Sequence, residues 1–220
     1  MTAPLVIAAL ALSALAAAWR RRLRPLPARA VIVSPRKSTV VAHDGGVRSR
    51  QSAQLTMDPV ELERIWSPDN LENLARTYWR FLSRVTLGLV RVFYGSTSRS
   101  VALLVRPLTL LRFDAPEYVL EDDHGAVRWP IRDGLLVARA GRGCGYLALE
   151  VRREPADSSG RARLLIEVEV ANFYPSIAAG FSVPVYEMTQ SAIHVLVTHA
   201  FLRSLAKLDL AESKVGQLAG

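Results

Sequence analysis

The segment GYLALEVRREPADSSGRARLLIEVEVANFYP, residues 145–175, alternates apolar and polar side chains on both sides of a turn. Before the turn, Leu147, Leu149 and Val151 alternate with small or charged residues, and after it the run IEVEV repeats the pattern with two glutamates. A period of two predicts β-strands, and strands with one apolar and one polar face are typical of an antiparallel sheet. The polar turn at 157–160 predicts that the two strands form a hairpin.

The same alternation, punctuated by glycine and aspartate, continues toward the N-terminus of this segment. The predicted strands cover residues 99–106, 108–113, 117–122, 125–131, 135–140, 144–153 and 162–172. Because no strand–helix–strand alternation accompanies them, the pattern excludes a doubly wound nucleotide-binding fold. The sequence therefore predicts one long antiparallel meander.

Helices are predicted on both sides of the meander. Asp58 and Ser67 are each followed by proline, and this pairing is typical of an N-cap with proline at the first helical position. In the second of these helices, apolar residues recur at helical spacing from Leu71 to Leu89. A C-terminal helix over 186–208 is apolar over more than half of its circumference, which predicts that it is deeply buried.

This order of elements resembles the START-like (SRPBCC) superfamily, the helix-grip fold of polyketide cyclases and lipid-transfer domains. The residues that carry the likeness are GLLVARAGRGCGYLALEVRRE (134–154), RARLLIEVEVANFYP (161–175) and YEMTQSAIHVLVTHAFLRSLAKL (186–208), within a domain over 58–210. The resemblance implies an α+β domain whose antiparallel sheet curls around the C-terminal helix and encloses a hydrophobic cavity. It fixes no catalytic residue. QSAQLTM (51–57) is the candidate for the strand that usually precedes the first helices.

An uncharged segment of seventeen residues, 3–19, comes near the start of the sequence, and arginines follow it directly. As a helix it would be roughly 25 Å long, which is the short end of a bilayer span. The positive-inside rule then predicts a single-pass anchor over 1–19, with the N-terminus outside and the rest of the chain cytoplasmic. A cleaved signal peptide, with SALAA as its cleavage site, is the alternative. The cluster predicted to meet the headgroups is Arg20, Arg21, Arg22 and Arg24.

Charge is concentrated in the first part of the chain. Residues 1–50 hold nine arginines and lysines and one acid, whereas 51–220 hold nineteen basic and nineteen acidic residues. An excess of positive charge beside an apolar segment indicates anionic lipid headgroups rather than nucleic acid as its partner. We therefore predict a protein of the cell membrane with a basic juxtamembrane tether over 20–57 and a flexible tail over 211–220. The alternative for part of the tether is that its short β-prone runs, ARAVIVSP and STVVAH, pair with the domain.

The search for reactive groups gives no catalytic or metal site. His194 and His199 are five residues apart, about 140° around a helix, so they do not form a metal-binding pair. Cys144 is the only cysteine, which excludes an intrachain disulfide. No metal and no cofactor are predicted.

Three functions stay open at this stage: an anchored binder of a hydrophobic ligand or lipid, a cyclase or hydratase that uses the same cavity, and an anchored protein-interaction domain. A cavity smaller than roughly 300 Å³ would indicate the interaction domain. A cavity-facing acid or histidine would indicate the enzyme. The candidate cavity-lining residues are Tyr118, Trp129, Tyr146, Tyr186, Met188, His194 and His199.

Overall fold

The computed structural model describes residues 26–33, 38–95, 97–105, 107–176 and 192–207. Its strands are β1 (Ala28–Ile32), β2 (Thr39–Val41), β3 (Val47–Met57), β4 (Val90–Tyr94), β5 (Arg99–Leu103), β6 (Thr109–Phe113), β7 (Glu117–Leu120), β8 (His124–Asp133), β9 (Tyr146–Glu154) and β10 (Ala162–Phe173). Its α-helices are α1 (Pro59–Ile65), α2 (Pro68–Val85) and α3 (Ala192–Ser204), and a 3-10 turn (Leu205–Lys207) follows α3.

All the described strands pair antiparallel in one sheet, in the order β1-β3-β10-β9-β8-β6-β5-β4. β2 pairs with the first part of β3, and β7 pairs with the first part of β8. The hairpin of β9 and β10 lies at the centre, with Leu149 opposite Val168. Both of these residues are buried, which confirms the predicted apolar face.

The predicted starts of α1 and α2 are confirmed. The Val60 amide donates to Asp58 Oδ1 at 2.9 Å, and the Asn70 amide donates to Ser67 Oγ at 3.2 Å. Proline opens each helix, where its missing N–H leaves no hydrogen bond unmade. The caps fix where α2 begins and therefore which of its residues face the sheet.

The helices cover the inner face of the sheet, and aromatic rings join the layers. Phe201 of α3 makes an edge-to-face contact with Tyr78 of α2, with ring centroids 5.3 Å apart. Trp79 of α2 in turn contacts Phe113 of β6 at 5.3 Å and Trp129 of β8 at 5.1 Å. The described chain is thus an α+β domain with a large antiparallel sheet and a C-terminal helix, consistent with a helix grip.

The prediction of a tether over 20–57 is wrong for the part that the structure describes as strands. β3 is an interior strand of the sheet, because it pairs with β10 along most of its length and with β1 and β2 on its other side. The candidate strand at 51–57 is therefore confirmed. The tether prediction failed because the inward face of β3 includes the polar residues Ser49 and Gln51, which interrupt the apolar alternation.

Two further boundaries differ from prediction. The helix expected to run to Leu89 ends at Val85, and the chain then turns into β4, an edge strand that was not predicted. The strand expected over 135–140 is absent, and just before it Gly134, with φ 148°, passes so close to Leu110 that a Cβ would lie 2.2 Å from the Leu110 carbonyl oxygen. The chain there forms turns and a short 3-10 helix, Arg139–Gly141.

The predicted anchor over 1–19, the arginine cluster and the tail over 211–220 lie outside the described residues. Among the helices that the structure describes, none is both long enough and apolar enough to span a bilayer.

Candidate functional site

A cavity of about 380 Å³ lies between the sheet, the C-terminal half of α2 and α3. Nearly all of its described lining is apolar, and it comes from both layers. The lining residues are Val47, Ser49, Tyr78, Trp79, Leu82, Thr86, Val90, Val101, Leu103, Leu110, Leu111, Phe113, Ile131, Leu136, Leu147, Val170, Phe173 and Val197.

Local backbone features hold the walls of this cavity in place. The Thr86 hydroxyl donates to the Leu82 carbonyl at 2.9 Å and accepts from the Val90 amide at 3.2 Å, so it joins the end of α2 to β4. On the opposite wall, the Leu136 amide donates to the Leu110 carbonyl at 3.1 Å. Both ends of the cavity wall are therefore tied by hydrogen bonds rather than by side-chain packing alone.

A few polar groups lie in the apolar lining. The Nε1–H of Trp79 has no hydrogen-bond partner among the described residues, although only 3% of this residue is exposed. An indole nitrogen can only donate, and an unpaired buried donor is costly. Ser49, in contrast, shares a 3.0 Å hydrogen bond with the hydroxyl of Thr39.

Tyr78 is the one titratable side chain among the described residues that line the cavity. Burial raises its pKa to about 12, so the phenol is neutral at physiological pH. The described lining therefore offers a neutral phenol and an indole donor, while the hydroxyls of Ser49 and Thr86 are already hydrogen-bonded and the other lining side chains are apolar.

A second void occupies the other end of the same interior but is only about 60 Å³. There the start of α2 packs against β10, with Leu71 and Leu74 facing Leu164 and Ile166. This end is filled by the protein's own side chains.

Two of the predicted lining residues are on the inner face but do not line the larger cavity. Trp129 is 1% exposed and packs edge-on against Trp79, which separates it from the open space. Tyr118 packs against the core, and burial together with the negative charge of Glu72 raises its pKa to about 12. Both residues therefore belong to the packed core.

Two other predicted residues lie elsewhere. Tyr146 precedes Leu147 on β9 and so points to the outer face. There the Arg128 guanidinium carbon lies 3.9 Å from the centroid of the Tyr146 ring, in a cation–π contact. His199 of α3 lies 2.7 Å from Oε1 of the fully buried Gln51. Neither residue is part of the described lining of the cavity.

The remaining predicted residues lie outside what the structure describes. Tyr186 and Met188 precede the described start of α3, and the side chain of His194 is not described. No cluster of three histidine, cysteine or acidic side chains able to hold a metal occurs within the described ranges.

The sequence did contain the signal for the true lining. Tyr78 and Leu82 fall in the helical apolar series of α2, and Leu147 falls in the alternation of β9. The predicted strand residues were aromatic, but residue type does not decide which way a side chain points. Its position in the period of the helix or strand does so more reliably.

The fold and the cavity define the class: an α+β domain in which an antiparallel sheet and a C-terminal helix enclose an apolar space. No family model matches the chain. No curated protein matches it either.

Among solved structures, the chain is similar to a protein from Arthrobacter aurescens, with 11% identity, a TM-score of 0.34, and 86% of this chain and 98% of that chain covered. It is similar to human STARD10, with 9% identity, a TM-score of 0.33, and 87% and 77% covered. It is also similar to a norcoclaurine synthase point mutant from Thalictrum, with 13% identity, a TM-score of 0.30, and 73% and 95% covered. Because these TM-scores are low, the fold and the site rest on the geometry of this chain itself.

Proposed function

We propose that this protein binds a hydrophobic or amphipathic small molecule or lipid in the larger cavity. The observation that carries the proposal is the space itself, about 380 Å³ with an almost entirely apolar lining. Ligand pockets have volumes of about 300–1,000 Å³, whereas native cores contain few voids larger than a water molecule. A cavity of this size therefore supports a binding role rather than imperfect packing.

The polar groups of the lining favour a ligand with one acceptor atom. Trp79 supplies a buried N–H without a described partner, and Tyr78 supplies a neutral hydroxyl. A carbonyl, ester or hydroxyl oxygen on an otherwise apolar molecule would satisfy the indole donor. A bare hydrocarbon would leave it unpaired.

The proposal includes a location at the cytoplasmic face of a membrane. Residues 3–19 would span the bilayer with the N-terminus outside, and the arginines at 20–24 would meet anionic headgroups. The support comes from the sequence, in which seventeen uncharged residues run directly into four arginines.

The same cavity bears on the other two functions. The interaction-domain alternative expects no cavity above roughly 300 Å³, and the observed volume of about 380 Å³ disfavours it. The cyclase or hydratase alternative requires a group that transfers protons. Since the described lining supplies only Tyr78 for this role, the proposal is stated for binding alone.

Native mass spectrometry of the full chain, extracted in detergent, tests the binding function. We expect a co-purifying apolar molecule of lipid or similar mass on the wild type. Val101→Phe places a ring in the cavity and should remove it, while Val119→Phe, at a strand position that is 47% exposed, should retain it. A wild type without a bound molecule, or equal occupancy in Val101→Phe, contradicts the proposal.

The location is tested separately by a reporter enzyme fused after Gly220. Cytoplasmic activity alone supports the anchor. Activity outside the membrane, or a mature N-terminus near Ala17, contradicts it.

A further inference from the structure

Three loops at one end of the sheet expose large apolar side chains. Leu87 is 91% exposed and Leu89 51% in the α2–β4 loop, and Leu135 is 58% exposed after β8. The β5–β6 loop adds Leu104 at 45% and Val105 at 52%. We refer to these five residues as the apolar loop surface.

Backbone hydrogen bonds bring the three loops together. The Leu104 amide donates to the Leu89 carbonyl at 2.7 Å, which joins the α2–β4 and β5–β6 loops. The Leu135 amide donates to the carbonyl of Thr109, the first residue of β6, at 3.1 Å. The exposed side chains therefore form one surface rather than scattered single contacts, and contiguous apolar surface of this kind marks interaction sites.

Two of these leucines occupy backbone conformations that disfavour them. Leu87 has φ 53° and Leu104 has φ 60°, both in the left-handed region where glycine or asparagine costs less. The chain thus accepts backbone strain and solvent exposure at the same two positions. This combination favours a role for the leucine side chains themselves, since neither the backbone nor the core requires them.

Charge around the α2–β4 and β5–β6 loops is positive, whereas Asp133, next to the third loop, is paired with Arg112. Residues 73–113 contain seven arginines and no aspartate or glutamate. Arg84 and Arg91 flank the α2–β4 loop, and both are exposed. Exposed apolar side chains within a basic region match the interface of an anionic bilayer. There the apolar side chains enter the boundary between headgroups and acyl chains, and the arginines contact the headgroups.

The surface also adjoins the larger cavity. Thr86, next to Leu87, lines the cavity, as do Leu103, next to Leu104, and Leu136, next to Leu135. A bilayer in contact with these loops would therefore lie next to the end of the interior that contains the larger cavity.

We propose that the apolar loop surface inserts into the interface of an anionic lipid bilayer and holds this end of the domain against it. This contact is separate from the anchor proposed at 3–19, and it does not depend on what the cavity binds. A second copy of the chain, or another protein, is the competing occupant and is distinguished by the test.

The test measures contact depth, because an anchored chain stays with vesicles whether or not its loops touch them. The full chain carrying Cys144→Ser and Val105→Cys is labelled with an environment-sensitive fluorophore and reconstituted into phosphatidylcholine vesicles with or without phosphatidylglycerol. Ser158→Cys, at the exposed turn between β9 and β10 on the opposite end of the sheet, is the matched control. Lipids with brominated acyl chains serve as the quencher.

We expect quenching at position 105 and none at 158, stronger with phosphatidylglycerol and weaker as salt rises. Leu87→Gln with Leu104→Gln should reduce the quenching at 105 about fivefold or more, since each buried leucine contributes strongly to partitioning. Arg84→Gln with Arg91→Gln should remove the preference for phosphatidylglycerol. Thermal unfolding of each variant verifies that the fold is kept.

No quenching at 105, or equal quenching at 105 and 158, overturns the proposal. Fluorophore self-quenching that grows with the ratio of protein to lipid, without quenching by brominated lipid, also overturns it and identifies a second copy as the occupant. Protection of position 105 only when other proteins are added assigns the surface to a protein partner instead.

Discussion

The two ends of the interior are built from the same sheet and the same helices, yet one is solid and the other is open. At the closed end the start of α2 meets β10 around a void of about 60 Å³. At the open end the later turns of α2 and the strands β4 to β6 surround about 380 Å³. Apolar composition alone therefore does not decide where a core is filled.

The difference follows from which residues reach the centre. At the closed end, Leu71 and Leu74 come from the first turns of α2, Trp66 comes from the end of α1, and Leu205 adds a contact from beyond α3. At the open end, Val197 is the described residue of α3 that reaches the lining. Val197 is short and β-branched, so the described side chains of α3 leave this space open.

The largest expected effect is at the packed aromatic contact between α3 and α2. Phe201 is fully buried and packs on the rings of Tyr78 and Phe81. Phe201→Ala should lower the free energy of unfolding by about 3–5 kcal/mol, because it removes contacts and leaves a cavity. Chemical denaturation measures this change. Leu82→Ala, at a half-buried position on the open space, should cost less, and equal losses would contradict the contrast.

A pair of enlargements tests the same contrast in the opposite direction. Val127 is fully buried and lines neither void, so Val127→Phe should destabilise the fold by about 1–3 kcal/mol through overpacking. Val101→Phe has open space to enter and should change stability by less than Val127→Phe does. Melting temperatures of the two variants measure the difference. If Val101→Phe is the more damaging change, the open end is not open in solution.

The smallest effect concerns His199, which was predicted to line the cavity. Burial, and then the nearby Arg203, lower its pKa from the ordinary value of 6.5. The unfolded chain therefore takes up the proton first. The stability contributed by neutral His199 is complete above pH 6.5 and is lost as the pH falls below it.

His199→Gln removes this titration while keeping a donor for Gln51. We expect its stability to depend less on pH below 6.5 than that of the wild type, with an unchanged response to a cavity ligand. Denaturation between pH 5 and 8, about the range in which histidine titrates, measures the first part. Identical pH profiles would contradict the lowered pKa of His199, and loss of the ligand response would show that His199 acts at the cavity.

Local chemistry made much of the fold predictable. The caps at Asp58 and Ser67 and the alternation of Leu147 and Leu149 involve residues close in sequence, and the structure confirms them. The pattern for β3 is weaker, because Ser49 and Gln51 interrupt its apolar alternation. Gln51 is paired with His199, 148 residues away, so this contact forms only when distant parts of the chain meet.

The cavity was predictable as a consequence of the family resemblance, but its lining was not. The sequence shows which residues face inward, as it does for Trp129 and Leu147. It does not show that Trp129 packs edge-on against Trp79 while Leu147 borders open space. That distinction depends on the distance between α2 and the sheet, which results from packing across the whole interior.

The most direct test of the central claim is a titration of the full chain in detergent with a dansyl-labelled fatty acid. The claim predicts saturable, blue-shifted fluorescence with one probe per chain, and binding at least about tenfold weaker in Val101→Phe, since a filled pocket excludes the acyl chain. Val119→Phe should bind like the wild type. Equal binding by wild type and Val101→Phe, or non-saturating fluorescence in both, would contradict the claim that this cavity holds a ligand.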